Sequence, residues 1–318
     1  MTTSPLLRRV LIWAAALYCV ASIVAGVILA EMTLHLPRRP VRDDHAYRAR
    51  VTRDFHAQVE DASITAADGA ILKAWFVQPH EPNGKVVVLL HGITDNRLGV
   101  SGFGDYFLAR GYSVLLPDSR AHGESGGDVA TYGILERDDV RRWVDWVRLR
   151  SPGCTYLFGE SMGAAIALEA TAVTTRLCAV VVESPYSTFR DISYDRLAWR
   201  TGLSPLFWRT LGRPAIEVAI LYAGARFDVD LPRADPEAAI ESSRVPILLI
   251  AGTADVNIPA HHAIALERVC ASHCSLWIVP GAGHGGASAV APVEFWHRVP
   301  AWFENHGEPA SRDLARNP

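Results

Sequence analysis

Apolar and polar positions change their rhythm three times along this chain. Residues 11–30 (LIWAAALYCVASIVAGVILA) are twenty positions without a charge, preceded by Arg8 and Arg9 and ended by Glu31. The run has no polar face at a helical period, so it does not read as the surface helix of a soluble core. As a helix, twenty residues cover about 30 Å, the hydrocarbon thickness of a bilayer. Between 64 and 76 the pattern becomes strand-like on either side of Asp68-Gly69, which predicts two strands joined by a hairpin turn. From 85 onward short unbroken apolar runs recur, at 85–90 (KVVVLL), 113–116, 155–158, 179–182, 246–251 and 275–279. Strands buried on both faces have this composition. Helical spacing fills most of the intervals. The stretch 134–150 carries Val140, Trp143, Val144 and Val147 on one side and Arg and Asp on the other, and 260–270 and 293–305 also read as helices.

Strand–helix alternation of this kind predicts an α/β fold, a mostly parallel sheet with helices on both faces and an antiparallel start. One interval interrupts it. Residues 186–241 hold no buried strand but many aromatics, among them Tyr186, Phe189, Tyr194, Trp199, Phe207, Trp208, Tyr222 and Phe227. A connection that long needs structure of its own, and a helical cap over the strand ends is expected. Most of these rings would attach the cap to the body; some would line an apolar pocket.

The chain therefore divides into an N-terminal signal-anchor or transmembrane segment (1–36), an Arg-, Pro- and Asp-rich linker (37–56), a large α/β domain (57–307) with its cap at about 186–241, and a polar tail (308–318). Ile28-Leu29-Ala30 is a poor cleavage site, which favours an uncleaved anchor over a removed signal peptide. Arg8 and Arg9 would hold the N-terminus inside, whereas Arg38, Arg39, Arg42, Arg48, Arg50 and Arg53 argue the reverse. A short basic tail before a long domain favours export of the domain, with a single-pass location at the cell membrane.

Composition adds little. The net charge is −3 over 318 residues and the arginines are scattered, so no nucleic-acid partner is expected. Of five cysteines, Cys19 lies in the apolar segment, and Cys154 and Cys178 open core strands and read as ordinary buried thiols. Cys270 and Cys274 would pair if the domain faces an oxidising compartment. No cysteine or histidine spacing fits zinc, and no metal or organic cofactor is implied.

The candidate chemistry sits where the runs end. Gly159-Glu160-Ser161-Met162-Gly163 follows the apolar run 155–158 and precedes a small-residue helix-forming run. Strand, sharp turn and helix are the context in which G-x-S-x-G presents a nucleophile, Ser161, at a strained apex. A serine hydroxyl needs a base to remove its proton and a carboxylate to orient that base. Asp255, in the turn after 246–251, is the acid candidate; its alternative is a turn-capping role. His284, in the small-residue loop after 275–279, is the base candidate. His261, His262, His273, His297 and His306 read as surface or packing residues. The negative oxygen of a tetrahedral intermediate requires donors, for which the N–H groups of Met162 and of Ile93 are expected. His91 and Gly92 are expected at the substrate-binding loop, with His91 bracing it.

On these residues the chain resembles the α/β-hydrolase superfamily. The matching elements are His91-Gly92, the stretch Asp118-Ser119-Arg120-Ala121-His122-Gly123-Glu124-Ser125, the Ser161 turn, Asp255 in Gly-x-x-Asp-x-x-x-Pro, and Gly283-His284. Ala121 stands where that family commonly has glycine. Thr131-Tyr132-Gly133 with Glu136 and Asp139 is similar to a membrane-anchored or exported bacterial branch of serine esterases and thioesterases. The resemblance covers 59–305 and implies a serine hydrolase of small ester or thioester substrates, probed best by esters with apolar acyl groups. A peptidase or amidase on the same fold, and a non-catalytic membrane-anchored binding protein, are the alternatives. Acyl chain length, leaving group and oligomeric state are not legible.

Overall fold

The computed structural model describes residues 4–42 and 44–307. The tail expected at 308–318 lies outside the described residues. Two helices, α1 (Pro5–Leu34) and α2 (Asp44–Phe55), precede the hairpin β1 (Gln58–Thr65) and β2 (Ile71–Gln78). There follow β3 (Val86–Leu90), α3 (Ser101–Leu108), β4 (Ser113–Pro117), α4 (Glu136–Arg148), β5 (Thr155–Glu160), α5 (Met162–Ala170) and β6 (Ala179–Glu183). The cap holds α6 (Phe189–Thr201), α7 (Pro205–Arg209), α8 (Arg213–Phe227) and α9 (Pro236–Glu241). The chain then returns to the sheet with β7 (Ile247–Gly252), α10 (His261–Cys270) and β8 (Cys274–Val279), and ends in α11 (Ala287–Val290) and α12 (Pro292–Asn305).

The eight strands form one sheet in the order β1-β2-β4-β3-β5-β6-β7-β8. Only β1–β2 and β2–β4 are antiparallel; the other neighbours are parallel. Side chains alternate across the sheet, so each apolar run serves two cores. Val86, Val88 and Leu90 of β3 face one cluster with Trp143 of α4 and Ile166 of α5. Val87 and Leu89 face the other, with Phe295, Val299 and Phe303 of α12. Parallel strands with helices on both faces leave their carboxyl ends as the open edge where ligands bind.

The expected linker is more ordered than its composition suggests. Within it, α2 buries Tyr47 and Val51, and the Tyr47 ring stacks on Trp75 of β2 at 5.0 Å. Arg50 of α2 is also paired with Asp105 of α3.

The cysteines correct one expectation. Cys154 and Cys178 are not thiols but a disulfide, with α-carbons 5.7 Å apart. They precede β5 and β6, neighbours in the sheet, and the parallel register of Tyr156 with Ala179 brings the strand starts together. Cys270 and Cys274 are also joined.

Helix α1 is long and apolar enough to cross a membrane, the one such helix among the described residues. Most of its side chains are exposed. Its buried positions are Ser22, Gly26, Ala30 and Leu34, four apart, and they form a stripe against α8. The facing stripe on α8 includes Ala215, Ala219 and Ala223. Small residues on both sides let the two backbones approach closely.

Candidate active site

The turn between β5 and α5 is made by sterics. A β-carbon on Gly159 would lie 2.3 Å from the Gly163 carbonyl oxygen, and one on Gly163 would lie 2.2 Å from that of Leu90. Only glycine fits at either position. Ser161 between them has φ 57 and ψ −118, outside the regions that side chains ordinarily allow. Such strain costs on the order of 1–3 kcal/mol and persists only where the surroundings hold it. Here the Ser161 N–H donates to the Glu183 carbonyl of β6 at 2.9 Å.

His284 reaches this apex from the loop after β8. Its Nε2 lies 2.9 Å from Ser161 Oγ, and its Nδ1 lies 2.9 Å from Asp255 Oδ2. A carboxylate accepts only, so Nδ1 carries the proton and Nε2 is left to accept from the hydroxyl. Asp255 serves both roles weighed for it. Its Oδ1 caps its own turn, accepting the N–H groups of Asn257 and Ile258 at 2.9 Å each. Burial opposes ionisation of Asp255, but hydrogen bonds from His284, the Ile258 amide and Ser184 outweigh it and hold the carboxyl below its ordinary range.

Sequence reasoning missed the residues beneath this triad. Ser184 has φ 54, and its hydroxyl accepts the Gly285 N–H at 3.3 Å, so it steadies both the Asp255 and the His284 loops. Glu183 accepts the Ala287 N–H at 2.7 Å, and burial pushes its carboxyl up to about 7. Both follow the apolar run 179–182 at the carboxyl end of a strand, which was the available signal.

The loop after β3 completes the floor. Gly92 and Ile93 line the same cavity as Ser161, Met162 and His284. His91 does not line it, which corrects its assignment to substrate binding: it is fully buried behind the loop. Its Nδ1–H donates to the Gly92 carbonyl at 2.8 Å and its Nε2 accepts the Ser119 N–H at 3.0 Å. Burial, with His122 beside it, pushes its pKa down to about 4, so it is neutral and braces the loop.

The Asp118–Ser125 stretch is a framework for the wall. Asp118 accepts the N–H groups of Arg97 and Glu124, at 2.8 Å each, and pairs with the buried Arg97 guanidinium. A side chain at Gly123 would strike the Asp118 carboxylate at 2.2 Å. Ala121, standing where glycine was expected, has a left-handed φ of 59, the conformation glycine adopts without cost. Arg120 grips Asp139 through two bonds of 2.7 and 2.8 Å. Glu136 caps the preceding turn by accepting from the N–H groups of Thr131 and Gly133 at 2.7 and 2.9 Å. Thr131, Gly133, Glu136 and Asp139 are thus structural.

Among the described residues, two groups bring metal-ligand atoms together. Cys270, His273 and Cys274 form one, but its sulfurs are in a disulfide. Asp195, His261 and His262 form the other, with both histidine Nε2 atoms on Asp195 Oδ2 at 3.0 and 3.1 Å. The Nδ1 of His262 accepts the Ser187 N–H at 3.3 Å, so its Nε2 carries the proton and donates to Asp195. A metal ligand needs that lone pair free, so this arrangement reads as a hydrogen-bonded tie between cap and body.

The cavity above the triad has a volume of ≈ 650 Å³. Of the cap aromatics, Tyr186 and Phe189 line it; Trp199, Phe207, Trp208, Tyr222 and Phe227 do not. Beside cap residues such as Leu197, Ile216 and Ala219, the lining includes the end of α1, through Leu29 and Met32, and Leu36 just after it.

Residues 87–299 match the model of the alpha/beta hydrolase family. The chain belongs to that family. This alpha/beta hydrolase is 27% identical over 274 residues to the uncharacterized protein YqkD of Bacillus subtilis, covering 83% of this chain and 87% of that one. Among solved structures it is similar to the esterase Pf2001 of Pyrococcus furiosus, with TM-score 0.67 and 23% identity over 86% of this chain and 100% of that chain. The acylaminoacyl peptidase of Pyrococcus horikoshii aligns with TM-score 0.60 and 14% identity, over 79% of this chain and 42% of the peptidase. At those identities both structures speak for the fold alone.

Proposed function

We propose that this alpha/beta hydrolase is a serine esterase that cleaves carboxylic ester or thioester bonds through an acyl-enzyme. The observation that carries the reading is the continuous chain Ser161 Oγ, His284 Nε2, His284 Nδ1, Asp255 Oδ2, with 2.9 Å at each junction. His284 takes the Ser161 proton as the oxygen attacks the acyl carbon, and Asp255 steadies the imidazolium that forms. The N–H groups of Met162 and Ile93 receive the negative oxygen. The acyl C–O or C–S bond then breaks and His284 protonates the leaving group. Water, deprotonated by His284, releases the acid and restores Ser161.

An intact triad under an apolar cavity favours this over a non-catalytic binding protein. The peptidase-titled neighbour keeps amide cleavage as a second reading, separated by comparing acyl esters with peptide amides. Retention of α1 as an anchor is supported by its packing on the cap, since a removed signal would leave the Ala215–Ala219–Ala223 stripe bare. Two disulfides fit a domain held in an oxidising compartment outside the cell membrane.

The test is Ser161→Ala in the full chain, assayed with p-nitrophenyl esters and a fluorophosphonate label. Both signals are expected to disappear. Turnover that survives in the variant would falsify the assignment of the nucleophile.

A further inference from the structure

The cavity has two walls that the triad does not explain. The first is the end of α1. Leu29 and Met32 sit at the close of the apolar segment and Leu36 just beyond it, so the membrane helix itself contributes to the acyl pocket. The cap follows α1 back into the apolar segment: Tyr18 Oη donates to the Leu211 carbonyl at 2.6 Å. Tyr18 lies twelve residues before Ala30, about 18 Å along a helix. Near that contact the cap exposes Leu206 and Leu211, at 68% and 63%. With α1 in a bilayer, the Leu211 contact would fall at the depth of Tyr18, inside the apolar segment, and Leu29 and Met32 near its end.

The second wall is charged. Arg196 and Arg200, one turn apart on α6, both line the cavity. Three other arginines of the cap are matched, Arg190 and Arg213 with Glu217 and Arg209 with Asp191, while Arg226 and Arg233 are exposed and do not line the cavity. Among the described residues, neither Arg196 nor Arg200 has a carboxylate partner. Arg196 bonds only the neutral amide oxygen of Asn257, and its guanidinium lies 4.9 Å over the Trp199 ring. Burial and the neighbouring Arg200 both disfavour its charge, the condition of a cation waiting for an anion. Paired guanidinium groups suit phosphate oxygens, which they bind with two parallel bonds.

We propose that the substrate is an anionic membrane lipid, drawn from the bilayer that holds α1, with its acyl chain against Leu29, Met32 and Leu36 and its phosphate headgroup on Arg196 and Arg200. The proposal rests on the esterase reading above. The bond broken is the acyl C–O bond; water is consumed, and a fatty acid and a lysolipid leave.

The test uses the full chain in nanodiscs of phosphatidylglycerol or of phosphatidylcholine with the same acyl chains, with released fatty acid measured by mass spectrometry. A soluble short ester, p-nitrophenyl butyrate, runs in parallel. Phosphatidylglycerol should be cleaved about tenfold faster. In the double variant Arg196→Gln, Arg200→Gln the ratio of the two rates should fall to near one, and Arg196→Lys, Arg200→Lys should restore part of it, while fluorophosphonate labelling reports that the triad is assembled. Equal rates on the two lipids, or a ratio unmoved in the glutamine variant, overturn the headgroup assignment. Butyrate turnover with neither lipid cleaved overturns the lipid proposal and leaves the esterase standing. Loss of butyrate turnover and of labelling in the unaltered chain removes the esterase reading, and this proposal with it.

Discussion

A β-carbon added to Gly26 of α1 would lie 2.5 Å from Cβ of Val218 on α8, and 2.6 Å from the Ala215 carbonyl oxygen. The second contact is with backbone, so no rotamer change relieves it. Gly26→Val should therefore push α1 off α8 and open the cavity wall that Leu29 and Met32 form. Chain-length preference is the measurement that detects this. Turnover of a long ester such as laurate should fall about tenfold relative to butyrate, the loss expected if about two methylenes are left without a wall at about 0.8 kcal/mol each. An unchanged laurate-to-butyrate ratio would show that α1 has no part in chain-length preference.

Asp255→Asn separates orientation from charge. The asparagine amide nitrogen, turned to His284, donates where the carboxylate accepted, and the proton moves to Nε2. The imidazole then presents N–H to Ser161 and cannot take its proton. A loss of about 10³–10⁴-fold in kcat is expected, by analogy with the buried aspartate of serine-protease triads. Unfolding temperature should barely move if the variant keeps the Asn257 and Ile258 amide bonds to Oδ1. A loss below tenfold would mean that another group orients His284.

The sheet, and the meeting of Ser161, Asp255 and His284 at one edge of it, were legible for the same reason. A strand buried on both faces must be apolar throughout, and the polar residue just past its end stands at the open edge of a parallel sheet. Ser161, Asp255 and His284 all occupy such positions, and the glycines around them mark close approaches. What escaped was whatever depends on two distant segments meeting. Ser22, Gly26 and Ala30 carry no signal until Ala215 and Ala219 face them. Cys154 and Cys178 pair because parallel neighbours start at one level, which no spacing reveals. In α2 only Tyr47 and Val51 turn inward, too few for a periodic pattern. Arg196 and Arg200 carry no signal in the sequence; lining the cavity without a carboxylate partner sets them apart from Arg190 and Arg209.

The disulfides differ in worth. Cys154–Cys178, 24 residues apart, closes a loop that contains α5 and the Ser161 turn before it. Constraining that loop in the unfolded chain contributes about 3 kcal/mol on the chain-entropy estimate. Cys154→Ala with Cys178→Ala should lower the unfolding temperature by several degrees; the four-residue separation of Cys270 and Cys274 makes their removal cost less. Non-reducing peptide mapping of the protein from its native compartment should find both links. Free thiols at 154 and 178 in the protein from its native compartment would place the domain on the reducing side.

His91 sets an acid limit to stability. Its ordinary pKa is 6.5, and in the fold burial holds it at about 4. Below 6.5 the unfolded chain takes up a proton that the folded site refuses, so the stabilisation is complete above 6.5 and drains away as pH falls toward 4. The structural reason is that Nε2 already accepts the Ser119 N–H; a proton there would set donor against donor. Over that window this one group removes about 2–3 kcal/mol. His91→Asn should be less stable than the native chain at pH 7.5, because it loses the brace behind Gly92 and Ile93. Its denaturant midpoint should nevertheless change less between pH 6.5 and pH 4 than that of the native chain. Parallel midpoint curves for the two proteins would assign the acid transition to other groups.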